Sequence, residues 1–457
     1  MDLSSPTTQT YLMLLSLLPE AVTEKMLSPL VPFMVRMLSQ DLPAEEQDSV
    51  VGQRAGLLTG VFYLPLLVMN IVWGALSDRM GRVPILILGL IFGGFTTFIL
   101  GFNSTSFTVA LLCRFLAGVF GGNSAVAKGG LGEIHASEAG RAWAYSLYGS
   151  LYAVSGIVGP LIGGMLVKYS KELNFAPNLS PYFNVGLLGA ALSVLALFTT
   201  VFYLKDQPKK RVEEIVALEK PGSEKENATT ASAETKKDTD ASASFSSLAS
   251  PKLLLAIGLY VIIAFANMSW AMIFSLIFAA PIEHGGLGFT PMDTSFAMTI
   301  PAVSKLLIQT LCCRQIVTAL GPNRAYCLGM AVIIPATYGI GILGGVVSQY
   351  TWLISSICLL MIGFVEAVVY LSVMIMISES VPASSLGAAF GLSSTCAAAV
   401  RTFAPPLAGF AWEFASMEMK LPWMAFAIIQ GTAAVAVLIA TVSDKNFQLD
   451  KQKSKTE

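Results

Sequence analysis

The sequence predicts an all-α membrane protein of twelve transmembrane helices in two pseudo-symmetric six-helix bundles, and three observations carry that prediction. Of 457 residues, 54% are hydrophobic and only 12% charged, about half the charged share of a soluble globular chain. The apolar residues fall into runs of roughly 20 or more, the length a helix needs to cross about 30 Å of hydrocarbon. Those runs divide into two sets of six around one polar stretch. The 28 Lys and Arg are offset by 29 Asp and Glu, so there is no basic field to hold nucleic acid, which is excluded as a partner. Cys113, Cys312, Cys313, Cys327, Cys358 and Cys396 lie inside or at the edge of apolar runs. There they pack as small hydrophobes, and neither a disulfide framework nor a metal cluster is expected.

The first span, 11–36, is the most polar, with Glu20, Glu24 and Lys25 and two helix-bending prolines, Pro29 and Pro32. The second, 55–76, runs into a charged turn, and the third, 83–101, opens directly after it. The fourth, 106–127, carries Arg114 and several glycines; the fifth, 142–167, holds Pro160; the sixth, 183–204, is apolar throughout. These make the first domain, 1–204. Residues 205–250 are rich in Ser, Thr, Ala, Lys and Glu, with hardly any large apolar side chain between Leu218 and Phe245. Such a stretch cannot bury enough surface to fold and reads as a disordered cytoplasmic connector. The second domain, 251–457, repeats the plan with spans at 252–280, 295–319, 324–346, 351–377, 385–411 and 422–443, followed by a tail. Pro301 and Pro405 lie within these helices, which membrane helices tolerate.

Lys and Arg gather in cytoplasmic loops. With both termini inside, the inner segments and their margins collect nineteen basic residues and the outer side five. Asp41, Glu45, Glu46 and Asp48 then fall outside. The N-terminus has no basic n-region and no small-residue cleavage site, so the first span is expected to be retained. Asn103 and Asn178 stand in outward-facing Asn-x-Ser/Thr triplets, candidates for glycosylation, whereas Asn227 falls in the cytoplasmic connector. The expected location is the plasma membrane rather than the vacuolar membrane, and the expected state a monomer in lipid.

After the second span the chain reads Gly74-Ala75-Leu76-Ser77-Asp78-Arg79-Met80-Gly81-Arg82-Val83-Pro84-Ile85-Leu86. This is a helix end, a charge cluster and a glycine turn opening the next helix. An acid and two arginines there can pair with each other and with the helix ends of a neighbouring bundle, closing the cytoplasmic side in one state. The stretch resembles the signature loop of the major facilitator superfamily, with Val83 where that family has a second basic residue. Arg114 with Gly118, Gly121 and Gly122 is similar to its Arg-x-x-x-Gly motif. Gly156, Gly159, Pro160, Gly163 and Gly164 resemble the Gly-Pro-x-x-Gly-Gly motif of its drug:proton antiporter branch; such small residues also serve close helix packing. Ala404 to Gly409 in the eleventh span, and Arg314 to Gly321 after the eighth, echo the first half, as two homologous bundles imply. Within the superfamily the chain is similar to tetracycline-resistance-like and zinc-induced-facilitator-like transporters.

Ionisable residues deep in a span are functional candidates because of their cost. Glu20, Glu24 and Lys25 lie in the first span, Arg114 in the fourth, Lys305 in the eighth, Glu366 in the tenth and Arg401 in the eleventh. The resemblance implies that the first, fourth, seventh and tenth helices line a central cavity, with the second, fifth, eighth and eleventh between the halves. Glu20 and Glu24, four apart, share a helix face and repel in a low dielectric. They, Glu366 and Arg114 are the candidates for proton coupling; fixed ion pairing between helices is the other reading of each acid. Lys25, Tyr152, Asn267, Trp270, Lys305, Tyr370 and Arg401 are the candidates for binding solute. Two solute classes stay open: an organic anion or zwitterion met by Arg401 or Lys305, and a lipophilic cation or neutral drug held by the acids and aromatics, Tyr63 included.

His135 and His284 fall on opposite sides, so zinc finds no ligand cluster and no cofactor is expected. There is no Gly-x-x-x-x-Gly-Lys-Ser/Thr phosphate loop and no converging catalytic triad, so the chain is not expected to be an enzyme. The reading is a secondary active transporter of a small organic solute, exporting it against protons by alternating access. A symporter, a facilitator and a non-transporting sensor are the alternatives.

Overall fold

The computed structural model describes residues 5–40, 42–135, 137–172, 179–206, 250–343, 350–381 and 386–456. Asn178, Asp41 and nearly all of the connector lie outside that set, as does the side chain of Asp78. Twelve helical spans cross the molecule. Among the described residues nine are long and apolar enough to cross a membrane on their own, and a tenth appears when Pro291–Leu311 and Cys313–Leu320, bent by 63°, are taken together. The first and eleventh spans are more polar. The first carries Glu20, Glu24 and Lys25, and the eleventh carries Arg401 among Gly, Ser and Thr. Their polar residues mark one side of each as turned toward the interior of the protein, while Phe403, Leu407 and Phe410 leave an exposed apolar side on the eleventh.

Each helix forms where its sequence allows and stops where the backbone must turn. The first span runs as Pro6–Leu27 and Val31–Leu38 with the 3-10 turn Ser28–Leu30 between; Pro29 and Pro32 withdraw N–H donors there and bend it. The second, Val51–Met80, outlasts its apolar run because a helix satisfies its own backbone beyond the hydrocarbon. Gly81 has φ of 99° and Gly321 has φ of 80°, a left-handed turn that glycine adopts without strain. They open Arg82–Phe102 and Pro322–Leu343, the third and ninth spans, at equivalent points of the two halves. The fourth span breaks between Phe107–Val119 and Asn123–Ile134 at Gly121 and Gly122. The fifth and sixth are Glu138–Glu172 and Phe183–Tyr203. Pro251–Ala279, Thr351–Glu379 and Leu386–Glu413 form the seventh, tenth and eleventh. The eleventh ends in the π-turn Phe414–Glu418, and the twelfth begins as the 3-10 turn Pro422–Phe426 before Ala427–Thr456.

The packing has a two-fold pattern. In the first half the third span lies on the sixth, the first on the fifth and the second on the fourth; in the second half the ninth lies on the twelfth, the seventh on the eleventh and the eighth on the tenth. Between halves, the second span packs on the eleventh and the fifth on the eighth. Adding six to every number maps one set onto the other, the arrangement of two homologous bundles.

The halves meet closely on one face and part on the other. We call the face bearing the helix ends near residues 5, 206 and 250 the terminal face, and the opposite one the distal face. Near the distal face a Cβ on Gly52 or Gly56 would strike the eleventh span at Gly409 and Pro405. One on Gly164 would lie 2.7 Å from the Ser295 Cβ. Further in, Gly156 has 3.5 Å to the Ala302 Cβ, and Gly74, Gly149 and Gly391, nearer the terminal face, have nothing within 4 Å. The halves are thus in close contact near the distal face and apart at these glycines toward the terminal face, and we read the space between them as a cleft open on that side.

Candidate functional site

The open cleft leads to polar side chains at mid-span. In the first half Glu24 accepts a hydrogen bond from the Tyr63 hydroxyl at 3.0 Å, and the ammonium of Lys25 stands 3.5 Å from the same oxygen. Arg114 lies over the Phe62 ring at 4.5 Å and donates from Nε to the Leu58 carbonyl at 3.4 Å. In the second half the Asn267 amide donates to Glu366 at 2.7 Å, and Lys305 meets its other oxygen at 3.2 Å. The Lys305 ammonium also lies 5.5 Å from the centre of the Tyr370 ring. Arg401 stands beside Tyr370 and Tyr260 and reaches electrostatically across to Tyr63 and Glu24 of the other half. All of these ionisable side chains are half-buried: they sit deep in the protein yet touch the cleft.

Two candidates are placed elsewhere. Glu20, one turn from Glu24 toward the terminal face, has Glu24 and Lys128 as its charged neighbours and Tyr152 nearby. Lys128 lies 5.1 Å from the centre of the Tyr148 ring, whose hydroxyl is 2.7 Å from Ser124. Trp270 is only 5% exposed and tilts against Phe274 in the core of the second half, leaving no face for a solute. The sequence marks Trp270 only as mid-span, and the helix turns it inward.

The glycine motif of the fifth span has two working faces. A Cβ on Gly159 would meet the Lys25 Cβ at 2.8 Å, and one on Gly163 the Met26 carbonyl at 2.7 Å. Gly156 and Gly164 face the eighth span across the inter-half boundary. Pro160 is buried between them. The motif thus brings the first span, which carries Glu24, against a helix that itself touches the opposite half.

At the terminal face the turn after the second span is tied within its own half. Arg82 holds Glu133, at the end of the fourth span, with two bonds of 2.5 and 3.3 Å, and reaches Ser77 at 2.5 Å. Asp206 accepts from the backbone N–H of Arg82 at 2.6 Å and of Val83 at 3.0 Å, an anion at a helix N-terminus. It fills the space that a Cβ on Gly81 would need. Gly74 has open space and Arg79 is exposed. The expected pairing of this loop with the opposite bundle corresponds to a closed terminal face, and this structure is open there. Neither Glu133 nor Asp206 stood out in the sequence; Asp206 is legible only as the acid just past the sixth span.

The distal face is pinned between the halves. Arg36 binds Asp48 at 2.8 Å and donates to the Ala279 carbonyl at 3.2 Å, and His284 lies 3.6 Å from Asp48. Glu413 accepts from the Gln53 N–H at 3.1 Å. Asn103 caps the turn before the fourth span, its amide nitrogen donating to the Ser106 carbonyl at 2.6 Å.

Two homologous six-helix bundles around a polar cleft that opens on one face define a multi-pass membrane transporter of small solutes. The family comparison is specific: the model of the Major Facilitator Superfamily matches residues 13–405, and the chain belongs to that family. It is 24% identical over 401 residues to the protein ZINC INDUCED FACILITATOR 1 of Arabidopsis thaliana, covering 85% of this chain and 81% of that one. It is 24% identical over 182 residues to the class B tetracycline resistance protein of Escherichia coli, 40% of this chain and 41% of that one. The crystal structure of a D-xylose–proton symporter matches with a TM-score of 0.71 at 14% identity, covering 94% of this chain and 96% of that one. Members of this family are transporters and not enzymes.

Proposed function

We propose that the chain exports a small organic solute in exchange for protons, as a monomer, with both termini and the connector cytoplasmic and the plasma membrane as its location. The observation that carries this reading is the pair Glu24 and Glu366, one mid-span acid in each half. Each faces the same cleft and holds one lysine and one neutral donor. A carboxylate that loses its cation in a low dielectric takes a proton before it stays charged. Rocking the halves changes what lies beside each acid, so the two access states differ in protons bound. The terminal face, open here, is then the side on which the solute loads, and the distal turn bearing Asn103 faces the exterior.

Names borne by relatives support export, since one of them is a tetracycline resistance protein, and so does the resemblance of Gly156 to Gly164 to the antiporter motif. The solute is identified by a toxicity screen of a deletion strain. Its flux is then followed in sealed vesicles under an imposed pH gradient. The expected result is gradient-driven movement in the wild type, lost in Glu24→Gln. Wild-type coupling in both Glu24→Gln and Glu366→Gln overturns the assignment of these acids. Flux that ignores the gradient makes the chain a facilitator.

A further inference from the structure

The charges around the cleft do not cancel. Five cations, Lys25, Arg114, Lys128, Lys305 and Arg401, and three acids, Glu20, Glu24 and Glu366, line it or adjoin it. Lys25 stands against Glu24, Lys305 against Glu366, and Lys128 is the cation beside Glu20. Arg114 and Arg401 remain. Among the described residues neither hydrogen-bonds a carboxylate. Arg114 has only the long bond to the Leu58 carbonyl and the face of Phe62. Arg401 hydrogen-bonds the Tyr370 side chain, while its Nε is buried with no acceptor among the described residues. A buried guanidinium donor without an acceptor is costly, so this arrangement persists for a reason other than stability.

The two arginines come from opposite halves, on the fourth and eleventh spans, and both lie within electrostatic reach of the same Glu24–Tyr63 pair. Beside them stand the half-buried rings of Tyr63 and Tyr370, backed by the buried rings of Phe62 and Tyr260, the latter edge to face with Tyr370 at 6.1 Å between centroids. Planar guanidiniums bind carboxylates through paired N–H donors, and aromatic walls accept a flat apolar body.

We propose that Arg114 and Arg401 form a two-armed clamp, one arm from each half, that takes an organic anion with an aromatic body, best one with two carboxylates. Resting on the reading of the cleft as a solute pathway, this deepens it by choosing between the solute classes. The excess of cations over acids around the cleft, five to three, disfavours a lipophilic cation.

The test uses the purified full chain and three probes at matched ionic strength: phthalate, benzoate and tetraphenylphosphonium. Phthalate is expected to raise the melting temperature most and benzoate less, while tetraphenylphosphonium leaves it unchanged. Arg114→Gln and Arg401→Gln are each expected to weaken phthalate binding at least tenfold, and Arg401→Lys to restore part of it. Stabilisation by tetraphenylphosphonium alone, stabilisation by no probe, or wild-type phthalate affinity in folded Arg114→Gln and Arg401→Gln overturns the clamp. Should either Gln variant fail to fold, uptake by wild-type vesicles decides: phthalate uptake inhibited by benzoate and not by tetraphenylphosphonium supports it, and the reverse selectivity sinks it. Running that uptake with and without a pH gradient separates the two claims. Carboxylate uptake blind to the gradient leaves the clamp standing and removes proton exchange. Gradient-driven movement of the cation does the opposite.

Discussion

In the first half the mid-span acid is answered from its own helix: Lys25 is the next residue after Glu24, and the one hydrogen bond from elsewhere comes from Tyr63. In the second half Glu366 on the tenth span is answered from two other helices, by Lys305 on the eighth and Asn267 on the seventh. The same chemistry is therefore local in one bundle and a three-helix tie in the other. A local pair can part by side-chain rotation alone. A tie links three helices, and while it holds it braces the bundle. Under the proposed exchange, the first half is the one suited to releasing a proton and the second the one suited to holding shape.

The sharpest way to break this comparison is Glu24→Gln. It removes the charge without removing the shape, and gradient-driven flux is expected to disappear while the melting temperature changes little. Glu366→Gln is expected to lower the melting temperature more and coupling less; the reverse ranking inverts the roles assigned to the halves.

Next in size is Lys305→Met, which leaves Glu366 with an amide and no cation. Breaking a fully buried pair from one side costs about 3–5 kcal/mol, and with Lys305 36% exposed and screened by solvent the loss here is about 1–2 kcal/mol. Lys25→Met is expected to cost less, because Glu24 keeps Tyr63 and stands near both Arg114 and Arg401. Denaturant titration of the two variants checks the difference. Equal losses would mean that the tie is no tie.

Of similar size is Gly159→Ala, whose methyl would lie 2.8 Å from the Lys25 Cβ. Overpacking of this kind costs about 1–3 kcal/mol. Gly156→Ala, with 3.5 Å to spare, is the tolerated control, and the two are compared by melting temperature and flux.

The smallest effect concerns the terminal rim of the first half, where the ring nitrogen of His135 lies 2.8 Å from the Thr10 hydroxyl. Burial holds the imidazole below its ordinary value of 6.5. The unfolded chain therefore binds the proton more readily, so stability is retained above about pH 6.5 and declines as pH falls. His135→Gln is expected to flatten that decline, seen as melting temperature against pH.

Much of the architecture was legible because the bilayer imposes its own length rule. The division into six and six, the polar first span and the turns at Gly81 and Gly321 all follow from local composition. The polarity of the first and eleventh spans, which makes them poor membrane helices by hydropathy alone, is itself the mark of the cleft. Partners were not legible. That Lys305 lies on Glu366, 61 positions away, depends on how the eighth span crosses the tenth. That Glu20 looks toward Lys128 depends on the break at Gly121 and Gly122 in the fourth. Trp270 reads as a solute-binding candidate in the sequence and the structure buries it; a helix hydrophobic all round gives no period from which its inner face can be told.

The glycine contacts that fade from Gly164 through Gly156 to Gly149 set the fulcrum of the rocking motion off-centre, close to the distal side. A lever so mounted trades a short stroke at one end for a long sweep at the other. Cargo meets a broad funnel on the terminal side, where selection has room to act, and no opening opposite until the hold of Arg36 and Asp48 on Ala279 and His284 is released. A reagent that staples this contact shut would hold the two halves together on the distal side and block any motion that has to part them there.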